Sequence, residues 1–485
     1  MKTFFRFLLW LFIILVLVII IKAFTFRSKQ TEVSSGEMPV FDTGSAAKLA
    51  GAIKFPTVSW TADAAIDTSV FEDYIKFIGD KFPLVDSLLE KERFNSFSLL
   101  YKWQGKNASL RPAVLMAHYD VVPAGDTAAW SFPAFSGKDD GTYIWGRGTL
   151  DDKAAMISIL EAVERLISEG FVPERTVYLS FGHDEELDGE NGAKAIASAL
   201  KDRGIAPDFV LDEGLAVTKG MVPMMKKPVA LIGTSEKGYV SVKLTAELPG
   251  GHSSTPAPES ALLLVAEAVT KLAEQQPAAR ISGPVNDFIK FVGPEMPFHA
   301  KAIFANKWLF SGIIKGIYEG SASGNALVRT TTAATVFNSG IKDNVIPTKA
   351  EAIINFRIIP GETSQDILNH VKKVTGDERV KCEILDGFVR EPAPVSPVGS
   401  DGFNAILASL RQVYPEAVVA PTLMLGASDS KHFSVVTDNI YRFAPIVVTS
   451  EDMERIHGLN ERTIKEEFLR GISFYYQVIK NCQQN

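Results

Sequence analysis

Cysteine is almost missing from this chain: 485 residues hold two, Cys382 and Cys482. So low a number excludes a disulfide framework and a thiolate metal cluster, and allows one disulfide at most. A dense Lys/Arg block is absent as well, and the formal net charge is -7, so the electrostatic footprint of a nucleic-acid binder is lacking. No internal repeat and no low-complexity stretch interrupts the chain. What is present is globular, with 46% hydrophobic and 22% charged residues, and its length suits two or three domains.

The amino terminus is a different material. Phe7 to Ile21 is an unbroken apolar run between Arg6 and Lys22, whose side chains can snorkel so that the stretch reaches about twenty residues, enough to span a bilayer. After Lys22 the sequence AFTFRSKQ has no small-x-small cleavage site, so a single uncleaved anchor, residues 1–27, is expected over a cleaved signal peptide. Basic residues on the two sides balance, Lys2 and Arg6 against Lys22, Arg27 and Lys29, and leave orientation to the short head and large body. That arrangement suits a body on the extracytoplasmic side. Residues 28–45, with Ser34, Ser35 and Gly36, read as a tether.

The rest of the chain is organised around WGRGTLDDK, Trp145 to Lys153. It opens into a helix in which Met156, Ile159, Leu160, Val163, Leu166 and Ile167 recur at helical spacing before Gly170 stops it. Asp151 and Asp152 therefore sit at a helix N-terminus, where two acids would ordinarily complement the helix dipole. Their neighbours argue for more. A strand over Ala113 to Ala117 ends at His118, with Asp120 two residues on as the partner that orients an imidazole. A strand over Thr176 to Phe181 runs into His183-Asp184-Glu185-Glu186, and one over Asp208 to Leu211 into Asp212-Glu213. Strand ends of an open α/β sheet converge on one rim, which makes a merely solvated charged loop the weaker reading. Alternating strands and helices predict a mostly parallel sheet covered on both faces.

From about Ser235 the texture changes. Strands over Tyr239–Leu248, 327–337, 350–359 and 380–384, with helices over 259–275 and 364–374, follow the β-α-β-β-α-β order of a ferredoxin-like module. It occupies 235–392 and interrupts a catalytic domain made of 46–234 and 393–485. The extra segment 284–325 is rich in Phe, Trp and Ile and has the size of an apolar substrate wall. After a strand over Arg442–Val448, His457 supplies a second imidazole, and Asn460 is placed to cap a closing helix.

Two histidines with three or four carboxylates on one rim make a dinuclear site for a borderline cation such as zinc. Two divalent ions carry four positive charges, which three carboxylates and one hydroxide cancel. The motifs AHYDVVP, WGRGTLDDK, HDEELDG, FVLDEG, GGHSSTP, NVIP and IHGLNER resemble the co-catalytic zinc metallopeptidases. That family includes aminoacylase, carboxypeptidase S, succinyl-diaminopimelate desuccinylase and the N-fatty-acyl-amino-acid synthase/hydrolases. The likeness runs from about residue 45 to the carboxyl end and is nearest to the carboxypeptidase S and fatty-acyl-amino-acid branch.

The resemblance implies two zinc ions per subunit, with His118, Asp151, Glu186, Asp212 and His457 as ligands and Asp151 bridging. Glu213 is the alternative to Asp212, and Asp152 would shape the backbone beside the bridge. Glu185 would be the general base and Asp120 its catalytic companion through His118. Substrate contacts would come from His252, Asn338, Arg357 and Gly426, the last in a GASDS turn where relatives often have GGTDS. The activity implied is hydrolysis of an N-acyl amino acid or a short peptide with a free carboxylate, reversible for fatty acyl groups. A carboxypeptidase or dipeptidase is the first alternative, and a catalytically silent membrane-anchored binding protein the second. By the same likeness the inserted module is a lid and the seat of a homodimer.

Overall fold

The computed structural model describes all residues other than 33–37, 62, 63, 65, 282, 386, 388, 484 and 485. Ser34, Ser35 and Gly36 of the expected tether lie outside the described residues. The chain divides into two compact units. The first is Met1–Thr234 with Asp287–Ala305 and Ser396–Asn485, and the second is Ser235–Asn286 with Asn306–Val395.

The first unit begins with the apolar helix α1 (Lys2–Thr25), long and apolar enough to cross a membrane. Its last turn is seated on the body. Continuing past it, Gln30 exchanges two hydrogen bonds with the backbone of Val419, donating from Nε2 at 2.9 Å and accepting at Oε1 at 2.9 Å. So this part of the expected tether is held against the body. Helices α2 (Thr43–Ala52), α3 (Thr68–Lys81) and α4 (Pro83–Leu88) lead into the strands β1 (Glu90–Phe94), β2 (Ser98–Trp103) and β3 (Ala113–His118). Two short strands, β4 (Lys138–Asp139) and β5 (Tyr143–Trp145), precede α5 (Lys153–Ser168). Gly170 ends α5 in the left-handed region (φ 75°), and Phe171 N–H bonds back to Leu166 O at 2.9 Å. Then come β6 (Val177–Gly182), α6 (Ala193–Asp202), β7 (Phe209–Asp212), β8 (Val217–Thr218) and β9 (Val229–Glu236).

The second unit is one four-stranded antiparallel sheet with helices on one face. Its strands are β10 (Gly238–Glu247), β12 (Thr331–Ser339), β14 (Lys349–Ile358) and β15 (Val380–Ile384), and the short β11 (Gly251–His252) pairs separately with β13 (Val345–Ile346). They lie in the order β12-β14-β10-β15, the split βαβ arrangement of a ferredoxin-like sheet. Alternate residues of β14, Ala350, Ala352, Ile354, Phe356 and Ile358, are buried. They pack with Leu264, Val265 and Leu272 of α7 (Ala261–Glu274) and with Ile367 and Val371 of α12 (Ser364–Thr375). The expected apolar wall over 284–325 is a run of helices, α8 (Gly283–Val292), α9 (Phe298–Ala305), α10 (Lys307–Glu319) and α11 (Ala322–Val328). Asp287–Ala305 of this run belongs to the first unit.

The chain closes the first unit with α13 (Asp401–Val413), β16 (Val418–Met424), β17 (Ile440–Arg442), β18 (Val447–Val448), α14 (Ser450–Met453), β19 (Arg462–Ile464) and α15 (Lys465–Asn481). Its main sheet runs β1-β2-β6-β3-β7-β17-β9-β8-β18, with β16 also on β9. The sheet is mixed, not mostly parallel. Parallel pairing holds through the centre, β6-β3-β7-β17, while β1-β2-β6 and β17-β9-β8 are antiparallel. The reason is local: β1 and β2 join through Asn95 and Ser96, both at positive φ, a hairpin turn that leaves no room for a crossover helix. The strand expected over Arg442–Val448 is two short strands, separated by a stretch containing Pro445.

Burial of the parallel centre fixes where its strand ends lie. Val114, Met116, Tyr178 and Val210 pack with Ile196 and Leu200 of α6, and the alternate residues Leu115, Leu179 and Leu211 are buried on the opposite side. Truncating Leu115 to Ala is expected to cost about 2–5 kcal/mol of unfolding free energy, read by urea denaturation, because it opens a cavity under the strand that ends in His118.

Candidate active site

Four loops meet at the carboxyl ends of the central strands of the first unit. His118 is the last residue of β3 and is 1% exposed. Its Nε2 lies 2.8 Å from Asp151 Oδ1 and 3.4 Å from Glu213 Oε1. On the far side of Asp151, Oδ2 is 3.0 Å from Nε2 of His457, which in turn is 3.4 Å from Glu186 Oε2. Two triads result, His118-Asp151-Glu213 and Asp151-Glu186-His457, each with its ligand atoms within 4.8 Å of one another. Asp151 belongs to both.

A buried frame holds these side chains. His118 Nδ1 faces Asp120, 3.1 Å from its carbonyl and 3.3 Å from its carboxylate. The same carboxylate accepts from the Ser59 hydroxyl (2.7 Å) and from the backbone N–H groups of Glu185 and Glu186, each at 3.2 Å. Asp120 therefore orients the imidazole and pins the turn that carries both glutamates. Antiparallel pairing of β19 with β5 sets Arg462 opposite Trp145, so the WGRGTLDDK and IHGLNER segments run side by side. Glu461, fully buried, accepts at Oε1 from the N–H groups of Gly148 (3.0 Å) and Leu150 (2.7 Å), and at Oε2 from the Arg147 guanidinium (2.6 Å). Arg147 donates onward to the carbonyls of Gly458 (2.9 Å) and His457 (3.3 Å). Gly458 is required there, since a Cβ would stand 2.1 Å from Glu454 O.

Charge is the problem this arrangement poses. Burial opposes a charged His118 ring, yet Glu213, Asp120 and Asp151 hold its pKa well above the imidazole range. Hydrogen bonds to Asp151 and Glu186 push His457 up to about 10. Burial and repulsion from Asp151 push Glu213 well above the usual carboxylate range. Burial again, with repulsion from Asp429, Glu186 and Asp151, raises Glu185 in the same way despite His118 nearby. Glu186 Oε1 is buried with no hydrogen-bond partner. A nest of desolvated acids around two imidazole nitrogens is a donor set that divalent cations fit, because they supply the positive charge the protons otherwise bring.

A model of peptidase family M20/M25/M40 matches residues 114–481. The chain belongs to that family. It is thereby an enzyme of the metallopeptidase class. "Probable carboxypeptidase S-like 2" of Dictyostelium discoideum is 41% identical over 481 residues, 97% of this chain and 92% of the relative. The "N-fatty-acyl-amino acid synthase/hydrolase PM20D1" of Xenopus tropicalis is 43% identical over 437 residues (89% and 85%), and that of Homo sapiens 39% over 441 residues (90% and 87%). Among solved structures, the M20 family metallo-carboxypeptidase Sso-CP2 from Sulfolobus solfataricus shares the fold with a TM-score of 0.65 at 17% identity, covering 91% of this chain and all of that one. Human carnosine dipeptidase 1 does so at 0.60 and 12%, covering 91% and 96%.

The structure of this M20 chain brings together His118, Asp120, Asp151, Glu185, Glu186 and His457, and departs from the expected set at one position. Asp212 is buried but turned away from the triads, accepting from Ser430 N–H at 2.8 Å and from Ser428. Glu213 takes the place expected of it, because adjacent residues at the end of an extended strand point to opposite sides. Gly426 lies exposed in the turn after β16. Asn460 caps no helix: its side chain accepts from Ser131 N–H (2.7 Å), and α15 begins only at Lys465 after β19.

His252, Asn338 and Arg357 belong to the second unit. His252 is exposed on β11 and accepts at Nδ1 from Ser254 N–H (3.1 Å). Asn338 is exposed on β12, opposite Glu351. Arg357 stacks 4.8 Å over the Tyr239 ring, and burial and the neighbouring Arg390 lower its pKa. Sequence reasoning assigned no role to Arg147 or Glu461, although both lie inside the motifs it singled out. Removing the cation of that pair by Arg147→Ala strands a buried carboxylate and is expected to cost about 3–5 kcal/mol by denaturant unfolding, with Glu461→Gln costing less.

Proposed function

We propose that this chain is a dizinc hydrolase of the amide bond in N-acyl amino acids, able to run in reverse when fatty acid and amino acid are abundant. The observation that carries this reading is Asp151, shared by two triads that pair one imidazole with one further carboxylate each. Its support is the 37–43% identity to N-fatty-acyl-amino acid synthase/hydrolases over most of both chains.

The residues proposed to hold the metals are His118 and Glu213 on one side, His457 and Glu186 on the other, and Asp151 between. Three carboxylates and one hydroxide balance two divalent ions, so the charge argument made for Asp212 holds with Glu213 in its stead. When bound, the zinc pair supplies Lewis acidity and lowers the pKa of water toward neutrality. Glu185 takes the proton of the attacking water and returns it to the leaving amine as the C–N bond breaks. Its raised pKa suits a group that must both accept and give a proton near neutral pH. Asp120 and Glu461 hold the turns on which these residues sit.

The second unit is proposed to supply the substrate contacts. Arg357, its pKa lowered by burial and by Arg390, and Lys237, lowered by burial and by Arg357, form with Arg390 a cationic group suited to a carboxylate. Asn338 and the backbone at Gly426 would add hydrogen bonds, and His252 of a second subunit would meet the developing oxyanion. Residues 235–392 would thus act as lid and dimerisation domain within a catalytic domain of 46–234 and 393–485. The edge strand β12, with exposed Val336 and Phe337, is open to pairing with a second copy. Helix α1 would anchor the protein, with the body outside the cytoplasm.

Carboxypeptidase activity is the second reading, favoured by the 41% identity to a probable carboxypeptidase S-like protein. Purified zinc-loaded enzyme offered a mixture of long-chain acyl, acetyl and peptidyl substrates is expected to consume the long-chain acyl amino acids fastest by mass spectrometry. Equal or faster loss of peptides would transfer the assignment to a carboxypeptidase. Glu185→Gln is expected to retain both metals and lose turnover by about a thousandfold or more, whereas His457→Ala loses metal, read by elemental analysis. Because the pKa values of His118 and His457 are raised and burial also raises those of Glu213 and Glu186, zinc uptake at pH 7.5 should release at least about two protons, measured calorimetrically in buffers of different ionisation enthalpy. Zinc uptake without proton release would show that the imidazoles are not ligands.

A further inference from the structure

We propose that His432 is a positioning residue for Glu185, and that the buried Asp212 acts through it by seating the segment Ser428–His432 against the turn that carries Glu185 and Glu186. This rests on the reading of Glu185 as the general base.

Glu185 and Glu186 stand on a single short turn, Glu185–Leu187. Leu187 N–H donates to Asp184 O (3.0 Å), Asp188 N–H to Glu185 O (2.8 Å) and Gly189 N–H to Asp184 O (2.9 Å). So short a turn has no helix behind it to stiffen it, and its direction depends on what grips its two ends. Asp120 grips the first, through the N–H groups of Glu185 and Glu186. The second end is Asp188, at positive φ (80°), and two neighbouring side chains close on it. His432 Nε2 donates to Asp188 O at 2.7 Å, since a carbonyl only accepts, and Lys431 Nζ lies 2.7 Å from Asp188 Oδ1. Asp429 of the same segment, 3% exposed, fills the space beside the glycines that flank the turn. Its Oδ2 lies 2.6 Å from where a Cβ of Gly182 would stand, and its Oδ1 1.9 Å from where that of Gly189 would stand.

The segment is itself anchored at both sides of His432. Before it, Ser430 N–H donates to Asp212 Oδ2 at 2.8 Å, the Ser428 hydroxyl bonds to the same carboxylate, and the two serine hydroxyls lie 2.7 Å apart. After it, Phe433 is fully buried with Ile196, Leu200 and Val210. The end of β7 therefore serves both triads: Glu213 faces His118, while Asp212, through Ser430 and His432, sets where the turn bearing Glu185 and Glu186 ends. A base moved by about 1 Å from its reacting geometry can cost on the order of a hundredfold in rate. A side chain that touches only the carbonyl of Asp188 thus bears on turnover without meeting the substrate.

The test is a double-mutant cycle on the zinc-loaded full chain with N-lauroyl-leucine as substrate. His432→Ala is expected to lower kcat about tenfold or more, with KM changed by less than about twofold and metal content as in the parent chain. It is also expected to speed amide hydrogen exchange in the peptide that holds residues 184–189, read by mass spectrometry. His432→Gln, which again offers an N–H, is expected to recover kcat to within about threefold of the parent. In a Glu185→Gln background, His432→Ala is expected to cost less than about twofold more, because the group it positions is already disabled. Lys431→Met, which leaves His432 in place, is expected to show a smaller loss of about threefold that likewise vanishes in the Glu185→Gln background, and it carries the test if His432→Ala does not fold. An equal fall in both backgrounds, no recovery with Gln, or no fall at all would overturn the proposal and leave Glu185 as the base. A Glu185→Gln chain that turns over like the parent would remove the general-base reading and the proposal with it.

Discussion

A single carboxylate held between two imidazoles organises this protein. Asp151 accepts from His118 at 2.8 Å with one oxygen and from His457 at 3.0 Å with the other. No other group in the site is common to both triads. A largely buried acid in that position is stabilised by positive charge on both sides, because little water reaches it to screen its charge. The imidazoles, whose pKa values these contacts raise, favour their charged forms in the free protein, and a pair of divalent ions would supply the positive charge in their place. Nearby Glu185, Glu186 and Glu213 all have raised pKa values for the same reason: each added carboxylate is desolvated in the field of Asp151.

Such a cluster can be kept only by a rigid surround. Two buried acids outside the triads provide it from opposite sides. Asp120 joins His118 to the turn at Glu185 and Glu186, and Glu461 joins the backbone before Asp151 to the loop of His457 through Arg147. Both acids spend their oxygens on backbone N–H groups and thereby set loop positions to within hydrogen-bond tolerance. The four parallel central strands beneath, packed on both faces, hold the loops' starting points.

Much of this was legible in the chain itself. Apolar strands ending in His118, Glu185-Glu186 and Asp212-Glu213 stand out because buried parallel strands are continuous hydrophobic runs, and the switch to ionisable residues marks their ends. The helix after Asp151 is marked as clearly, from Met156 to its stop at Gly170. Edges of the sheet were harder to read. Whether β1 and β2 turn back as a hairpin depends on two residues at positive φ, and short strands such as β17 and β18 carry too few residues for periodicity to show. Asn460 resembles a helix cap in sequence, but a three-residue strand intervenes before the helix starts.

Composition and motif order by themselves determined the class of chemistry: which residue types were available, that they follow strands, and that zinc-like donors outnumber what a solvated loop would need. Tertiary structure alone decided which of Asp212 and Glu213 faces His118, since strand pleat sends neighbours to opposite sides and only the parallel register of β7 with β17 says which side is which. It also decided that Arg147 meets Glu461, more than three hundred residues later, across the β5-β19 pair. Local pattern carries side-chain type and strand or helix period; which distant segments share a cavity is set by packing, and packing is a property of the whole chain.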